Sequence, residues 1–250
     1  IIIGAIIIAY SCMGGFMSVV WTDTIQSFLM LISFIIVPIA AYMEIQHQGL
    51  SISTELANMG NGADSWVGGL NGLALGAMLF TNLSWFFGWL GGQPQLSSRF
   101  MAITTEKERI TGRNMAIIWT LIVYVGAFLS AIFASTLYKQ GSIEDPEMIL
   151  PHMVFEILPP WVAGIIVAGI LAAIMSTASS QLLVITTSIS EDIIHKTLRW
   201  NVSSKKLVHL SRLVAVISGI VGIIISLKSG SVIYNLVSFA WAGIGNTFSV

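Results

Sequence analysis

NLSWFFGWLGGQPQLSSRFMAI, residues 82–103, is the stretch whose reading decides the fold. Its first part is apolar and aromatic enough to sit in hydrocarbon, yet Gly88, Gly91, Gly92 and Pro94 fall inside that part or just beyond it. Proline lacks an amide hydrogen and clashes with the preceding turn, and glycine holds helical backbone weakly, so together they predict a helix broken at this point. Peptide groups freed from helical bonding at membrane depth are tolerated only where protein or a water-filled cavity satisfies them, which makes a broken span a candidate binding site. Trp85, Phe86, Phe87 and Trp89 precede the break. Taken alone they leave two readings open: aromatic faces that flank a small organic solute, or an interfacial belt and packing cluster.

The rest of the chain supplies the membrane context. Of 250 residues, 55% are hydrophobic and only 9% charged, against roughly 25% charged in soluble domains. Eleven Lys and Arg stand against twelve Asp and Glu, a formal net charge of -1, so no electrostatic footprint for nucleic acid exists. The single cysteine, Cys12, excludes an internal disulfide framework and a paired-thiolate zinc site. Charge-free windows at 1–22, 24–43, 65–98, 114–138, 157–190, 213–227 and 229–250 predict about seven transmembrane helices, a span needing roughly 20 residues to cross a bilayer. Because the first window is already apolar at Ile1 and the last still is at Val250, the chain reads as an interior fragment of a longer protein.

Nine of the eleven cations lie in two places, Arg99 to Arg113 and Lys196 to Arg212, which the positive-inside bias assigns to the cytoplasm. The acidic connections 44–64 and 139–156 then face outward. The first of these, rich in Ser, Asn and Gly, is expected to be a surface excursion. In the second, Pro146 to Ile157 suggests a short interfacial helix before Pro159 and Pro160 open the next span. Asp23 is expected to end the first span at the inner interface.

A second span is unusual in another way. LAAIMSTASSQLLVITTSIS runs from Leu171 to Ser190, and eight of the fifteen residues from Ser176 onward are Ser or Thr. Ala173, Ser176, Thr177, Ser180, Val184 and Thr187 are spaced by three or four and so share a helix face. Neutral oxygens in that pattern suit a dehydrated monovalent cation; hydroxyls that bond their own backbone or let helices approach closely are the alternative.

These segments carry a resemblance. GGQPQLSSRFMAI at 91–103, LAAIMSTASSQLLV at 171–184, SISEDI at 188–193, WTDTIQ at 21–26 and LVSFAWAGIGNTF at 236–248 resemble, in the same order, motifs of the sodium/solute symporter family, most of all its proline-carrying members. The resemblance implies an all-α integral membrane protein of the inverted-repeat fold, two units of five helices around a site at the midplane. Residues 1–64 would be the end of the first repeat with its outer loop, and 65–250 the second repeat, in one transporter domain. It implies no enzyme activity and no cofactor beyond Na+ as coupling ion, which Ala173 would bind through its carbonyl and Ser176 and Thr177 through their hydroxyls. Trp85, Trp89, Gln93 and Pro94 would contact the solute, with an extra glycine before the Gln-Pro pair and a Trp where proline carriers have Tyr. Asp23 and Ser180 would lie on the ion pathway or its gate. The partners implied are a small organic solute, proline first, together with Na+ and the lipid bilayer, in a bacterial inner membrane. Symport of pantothenate or another solute, and a transporter-like sensor module, are the alternatives. An intramembrane enzyme is disfavoured because His47, His152, His195 and His209 all fall in predicted loops. A passive channel is disfavoured because a broken helix beside a neutral hydroxyl site favours occlusion over a continuous pore.

Overall fold

The computed structural model describes residues 2–60, 62–91, 93–139, 142–200, 203–228 and 237–240, with the side chains of 83–91 and 204 outside that description. The order of elements is α1 (Ile2–His47), α2 (Ile52–Met59), α3 (Gly72–Gly91), α4 (Pro94–Met101), α5 (Glu106–Leu137), a 3-10 turn (Pro146–Met148), α6 (Ile149–Ile157), α7 (Pro160–Thr187), a π-helical continuation (Ser188–Thr197) and α8 (Ser204–Lys228). Among the described residues, four helical stretches are long and apolar enough to cross a membrane: Ile2–His47, Glu106–Leu137, Pro160–Thr197 and Lys205–Lys228. The seventh predicted span, 229–250, falls almost wholly outside the described residues.

α1 carries the first two predicted spans. Its 46 residues amount to about 69 Å at 1.5 Å per residue, more than twice the roughly 30 Å of hydrocarbon, so it cannot be one span. The interruption falls at Gly15 (φ 58°, ψ -156°), a conformation that essentially only glycine adopts without strain. This corrects the expected junction at Asp23, which lies well inside the second helical segment. A carboxylate was read as a marker of the water interface, but a paired carboxylate need not sit there.

Other boundaries follow local chemistry. α3 stops at Gly91 and α4 begins at Pro94, the break that glycine and proline predict. Thr105 caps α5 by accepting from the Glu108 amide while the Glu108 carboxylate accepts from the Thr105 amide, a reciprocal capping box. Pro160 opens α7, where its missing amide costs nothing. The outer excursion after Gln46 is more ordered than expected, since it folds α2. The four histidines also lie on helical segments rather than in loops: His47 ends α1, His152 is on α6, His195 on the π segment and His209 on α8.

The backbone divides into two compact units. One comprises 26–83 and 105–173. Its core joins Val37, Ala41 and Ile45 of α1, Phe133 and Ala134 of α5, Met153 and Val154 of α6, and Ala163 and Ile166 of α7. Small residues set the spacing: a Cβ on Gly126 would lie 2.2 Å from the Phe34 carbonyl oxygen, and one on Gly169 would lie 2.0 Å from Ser33 Oγ. Ser33 Oγ sits between the Leu29 carbonyl at 2.9 Å and the Ile166 carbonyl at 3.3 Å, a polar tie between α1 and α7. At the outer end of this unit, Tyr138 donates to Glu156 Oε2 at 2.5 Å, and the His152 ring meets the Tyr138 ring edge-on.

The other unit comprises 1–25, 84–104 and 174–250. Here the first segment of α1 packs on α8, with Gly4 against Ile223 and Gly219 against Ile8. Tyr10 donates to the Met175 carbonyl of α7 at 3.2 Å. Ser211 of α8 donates to Ser190 of the π segment at 2.9 Å.

Candidate functional site

The polar centre of the second unit is built by three elements. Asp23 comes from α1, Arg99 from α4 and Ser180 from α7. Arg99 Nη2 donates to Asp23 Oδ2 in a salt bridge and to Ser180 Oγ at 2.5 Å, and Ser180 Oγ donates to Asp23 Oδ2 at 3.1 Å. The Asp23 side chain is only 14% exposed, so its charge is held inside protein and needs that pairing. Its other oxygen, Oδ1, is buried without a hydrogen-bond partner among the described residues. A buried carboxylate with one oxygen committed and one uncommitted can accept a cation without dismantling the existing pair.

A cavity of about 400 Å³ adjoins this cluster. Pro94, Arg99, Ser180, Val184, Thr187 and Asp192 are among its walls. Ser180, Val184 and Thr187 belong to the face of α7 read from the sequence, and all three line this cavity, beside Leu183 and Ser188. Pro94 reaches the cavity from the first turn of α4. Gln93, its neighbour, instead stands at the N-cap of α4 and accepts a hydrogen bond from the Gln95 amide side chain. The brief helix after the break thus brings Pro94 and Arg99 to the cavity, while the Gln93 side chain is held by Gln95.

The remaining predicted site residues distribute as follows. Ser176 and Thr177 lie on α7 one turn before Ser180, and the Ser176 carbonyl accepts from Ser179 Oγ at 3.1 Å. Ser179 itself has no exposure to solvent. Ala173 is on the same helix in the other compact unit, where it lines an apolar cavity of about 410 Å³ with Ser33, Ser130 and Gly169. Trp85 and Trp89 fall on the backbone of α3, but their side chains lie outside the described residues.

Sequence reasoning missed the role of Arg99, which it counted only among the cations assigned to the cytoplasm. The available signal was charge economy: Asp23 interrupts an apolar run and Arg99 directly ends another, and two such charges of opposite sign are cheapest when paired. It also missed the π-helical stretch Ser188–Thr197. There Thr197 Oγ1 bonds the Asp192 carbonyl at 2.7 Å, while Lys196 and Asp192 form an ion pair at 2.9 Å. Such segments concentrate at functional sites, and no composition cue announces them. Among the described residues, no group of three His, Cys, Asp or Glu side chains is placed to hold a metal ion.

Comparison with known proteins bears on this arrangement. A model of the sodium:solute symporter family matches residues 1–250. The chain is 34% identical over 249 residues to the high-affinity proline transporter PutP of Bacillus subtilis (strain 168), covering 99% of this chain and 51% of that protein. It is 34% identical over 248 residues to the sodium/proline symporter of Haemophilus influenzae, covering 96% and 49%. The sodium/proline symporter of Escherichia coli (strain K12) is 31% identical over 247 residues, with 96% and 48% covered. The chain therefore spans about half the length of the curated relatives it matches. Among solved structures, the substrate-bound outward-open state of a Na+-coupled sialic acid symporter superposes with a TM-score of 0.68 at 23% identity, over 91% of this chain and 50% of that one. That likeness establishes the all-helical symporter fold, and with the apolar helices it makes this a multi-pass membrane protein. From the family match along its whole length and the identity to these relatives, the chain belongs to the sodium:solute symporter family, a family of transporters rather than enzymes.

Proposed function

We propose that this chain contributes the second five-helix repeat, residues 65–250, and the end of the first, residues 1–64, to a symporter that imports proline with Na+ by alternating access. The observation that carries the reading is the hydroxyl-rich turn of α7 from Ser176 to Ser180, joined through Ser180 to the buried Asp23 carboxylate. Neutral hydroxyl and carbonyl oxygens bind a monovalent ion loosely enough to release it, and a carboxylate close by on the inner side draws it onward. In this reading Ala173, Ser176 and Thr177 hold the sodium ion, and Asp23 with Ser180 forms its path toward the cytoplasm. Trp85, Trp89, Gln93 and Pro94, around the break between α3 and α4, contact the solute. The names of the relatives support proline, and a bacterial inner membrane is the setting their organisms suggest.

No covalent step is needed. One Na+ entering across 100 mV releases about 2.3 kcal/mol, enough for about fifty-fold accumulation of solute before the sodium gradient itself is counted. Sodium bound at α7 favours the outward-open state and raises solute affinity by removing the conformational cost of reaching it. Replacement of Thr177 by Ala is expected to raise the sodium concentration for half-maximal transport about tenfold, the loss of one oxygen ligand costing about 1.4 kcal/mol. Sodium activation curves for the wild type and T177A in vesicles test this, and superimposable curves would remove α7 from the sodium site.

A further inference from the structure

A second cavity in the same compact unit adjoins the first, sharing Phe16, Leu183 and Thr187 with it, but opens onto different polar groups. It lies where the first segment of α1 ends, encloses about 420 Å³, and draws its walls from α1, α7 and α8. Ser11, Cys12, Thr186, Ser211 and Arg212 line it, together with the backbone at Gly15, and none of its described walls is a carboxylate. Thr186 is 8% exposed, yet its hydroxyl has no hydrogen-bond partner among the described residues, and the buried Ser11 hydroxyl has none among them either. The Thr186 carbonyl, by contrast, is occupied by Ser190 Oγ at 2.6 Å. The unmet need is thus specifically that of hydroxyl groups facing a cavity.

The charge around the cavity selects the ligand. Arg212 is exposed and forms no ion pair among the described residues. Lys205 and His209 precede it at helical spacings of seven and three on the exposed side of α8, on the face that the basic connections assign to the cytoplasm. The second segment of α1 starts beside the cavity, after the kink at Gly15. Hydroxyls alone would serve a cation or an anion, but the Arg212 guanidinium beside them repels a cation, so the set suits an oxyanion that accepts from both.

We propose that this cavity is a binding site for a phosphate-type anion, supplied either as a lipid headgroup or as the free ion, with Arg212 as its charge partner and Thr186 as an internal donor. Exposed Met13 and Leu213 beside the charged rim leave an apolar surface on which lipid chains can lie.

Cys12, the only cysteine of this chain, sits in the cavity wall and reports its occupancy. The full-length protein is placed in nanodiscs of phosphatidylcholine, of phosphatidylcholine with phosphatidylglycerol, and of phosphatidylcholine with added inorganic phosphate. Alkylation of Cys12 by N-ethylmaleimide is then followed by peptide mass spectrometry. An occupied site slows alkylation about tenfold when the anion stands at about ten times its dissociation constant. Both Arg212→Gln and the near-isosteric Thr186→Val are expected to bring the ratio of rates with and without anion close to one. Slowing by phosphatidylglycerol alone identifies a headgroup, and saturable slowing by phosphate identifies the free ion. Equal rates in all three media, or slowing that persists in Thr186→Val and Arg212→Gln and so reflects surface charge only, would overturn the site.

Discussion

Asp23 shows what one side chain demands of its surroundings. An ionised carboxylate in a membrane span costs about 2.5–3.5 kcal/mol on insertion scales, and the structure meets that cost with Arg99 and Ser180. Arg99→Ala is therefore expected to destabilise the protein by about 3–5 kcal/mol, because it strands a buried charge. Ser180→Ala, which leaves the salt bridge intact, is expected to cost about 1.5–3 kcal/mol. Thermal unfolding in detergent measures both, and an Arg99→Ala protein as stable as wild type would show that the pair does not hold α4 to α1. Asp23 was conspicuous in the sequence as a charge in an apolar run. Its partners were not, since Arg99 is 76 positions away and Ser180 is 157 away, and nothing in local pattern records such distances. The shared face of Ser180, Val184 and Thr187 was legible because helical period alone fixes it.

At the scale of elements, the breaks were legible in kind but not always in place. Gly91, Gly92 and Pro94 announced the interruption between α3 and α4 because both residue types oppose a helix there. The pair Gly14 and Gly15 was equally visible, but the charge at Asp23 drew the boundary away from it. Gly15 has open space where a Cβ would stand, so Gly15→Ala tests backbone conformation alone; a cost of about 1–3 kcal/mol is expected in chemical or thermal unfolding. No change would mean that the helix is not broken there. The tie between α5 and α6 makes a different prediction. Burial, and then the Glu156 carboxylate to which it donates, raise the Tyr138 pKa above its ordinary value near 10. A proton held more tightly in the folded state contributes stability that is complete below about pH 10 and disappears as pH rises through the raised value. Wild type is therefore expected to unfold at a higher temperature than Tyr138→Phe at pH 8, with the difference shrinking above pH 10; a difference independent of pH would contradict the contact.

At the scale of the whole molecule, small residues and paired polar groups hold helices together where lipid offers no hydrophobic drive for their association. Gly126 against Phe34 and Gly169 against Ser33 let backbones approach closely. Composition made that architecture legible, since a chain so poor in charge has few other folds available. The coupling of ion to solute was legible only through the resemblance of several ordered motifs, because no single hydroxyl or aromatic residue specifies it. The central claim is that sodium drives solute entry through this fold, and labelled proline uptake tests it most directly. The full-length protein in membrane vesicles is predicted to accumulate proline when an inward sodium gradient is imposed, and to lose that accumulation when sodium is replaced by choline. Accumulation of proline that is indifferent to sodium, or no sodium-driven flux of proline or of any competing solute, would contradict the account.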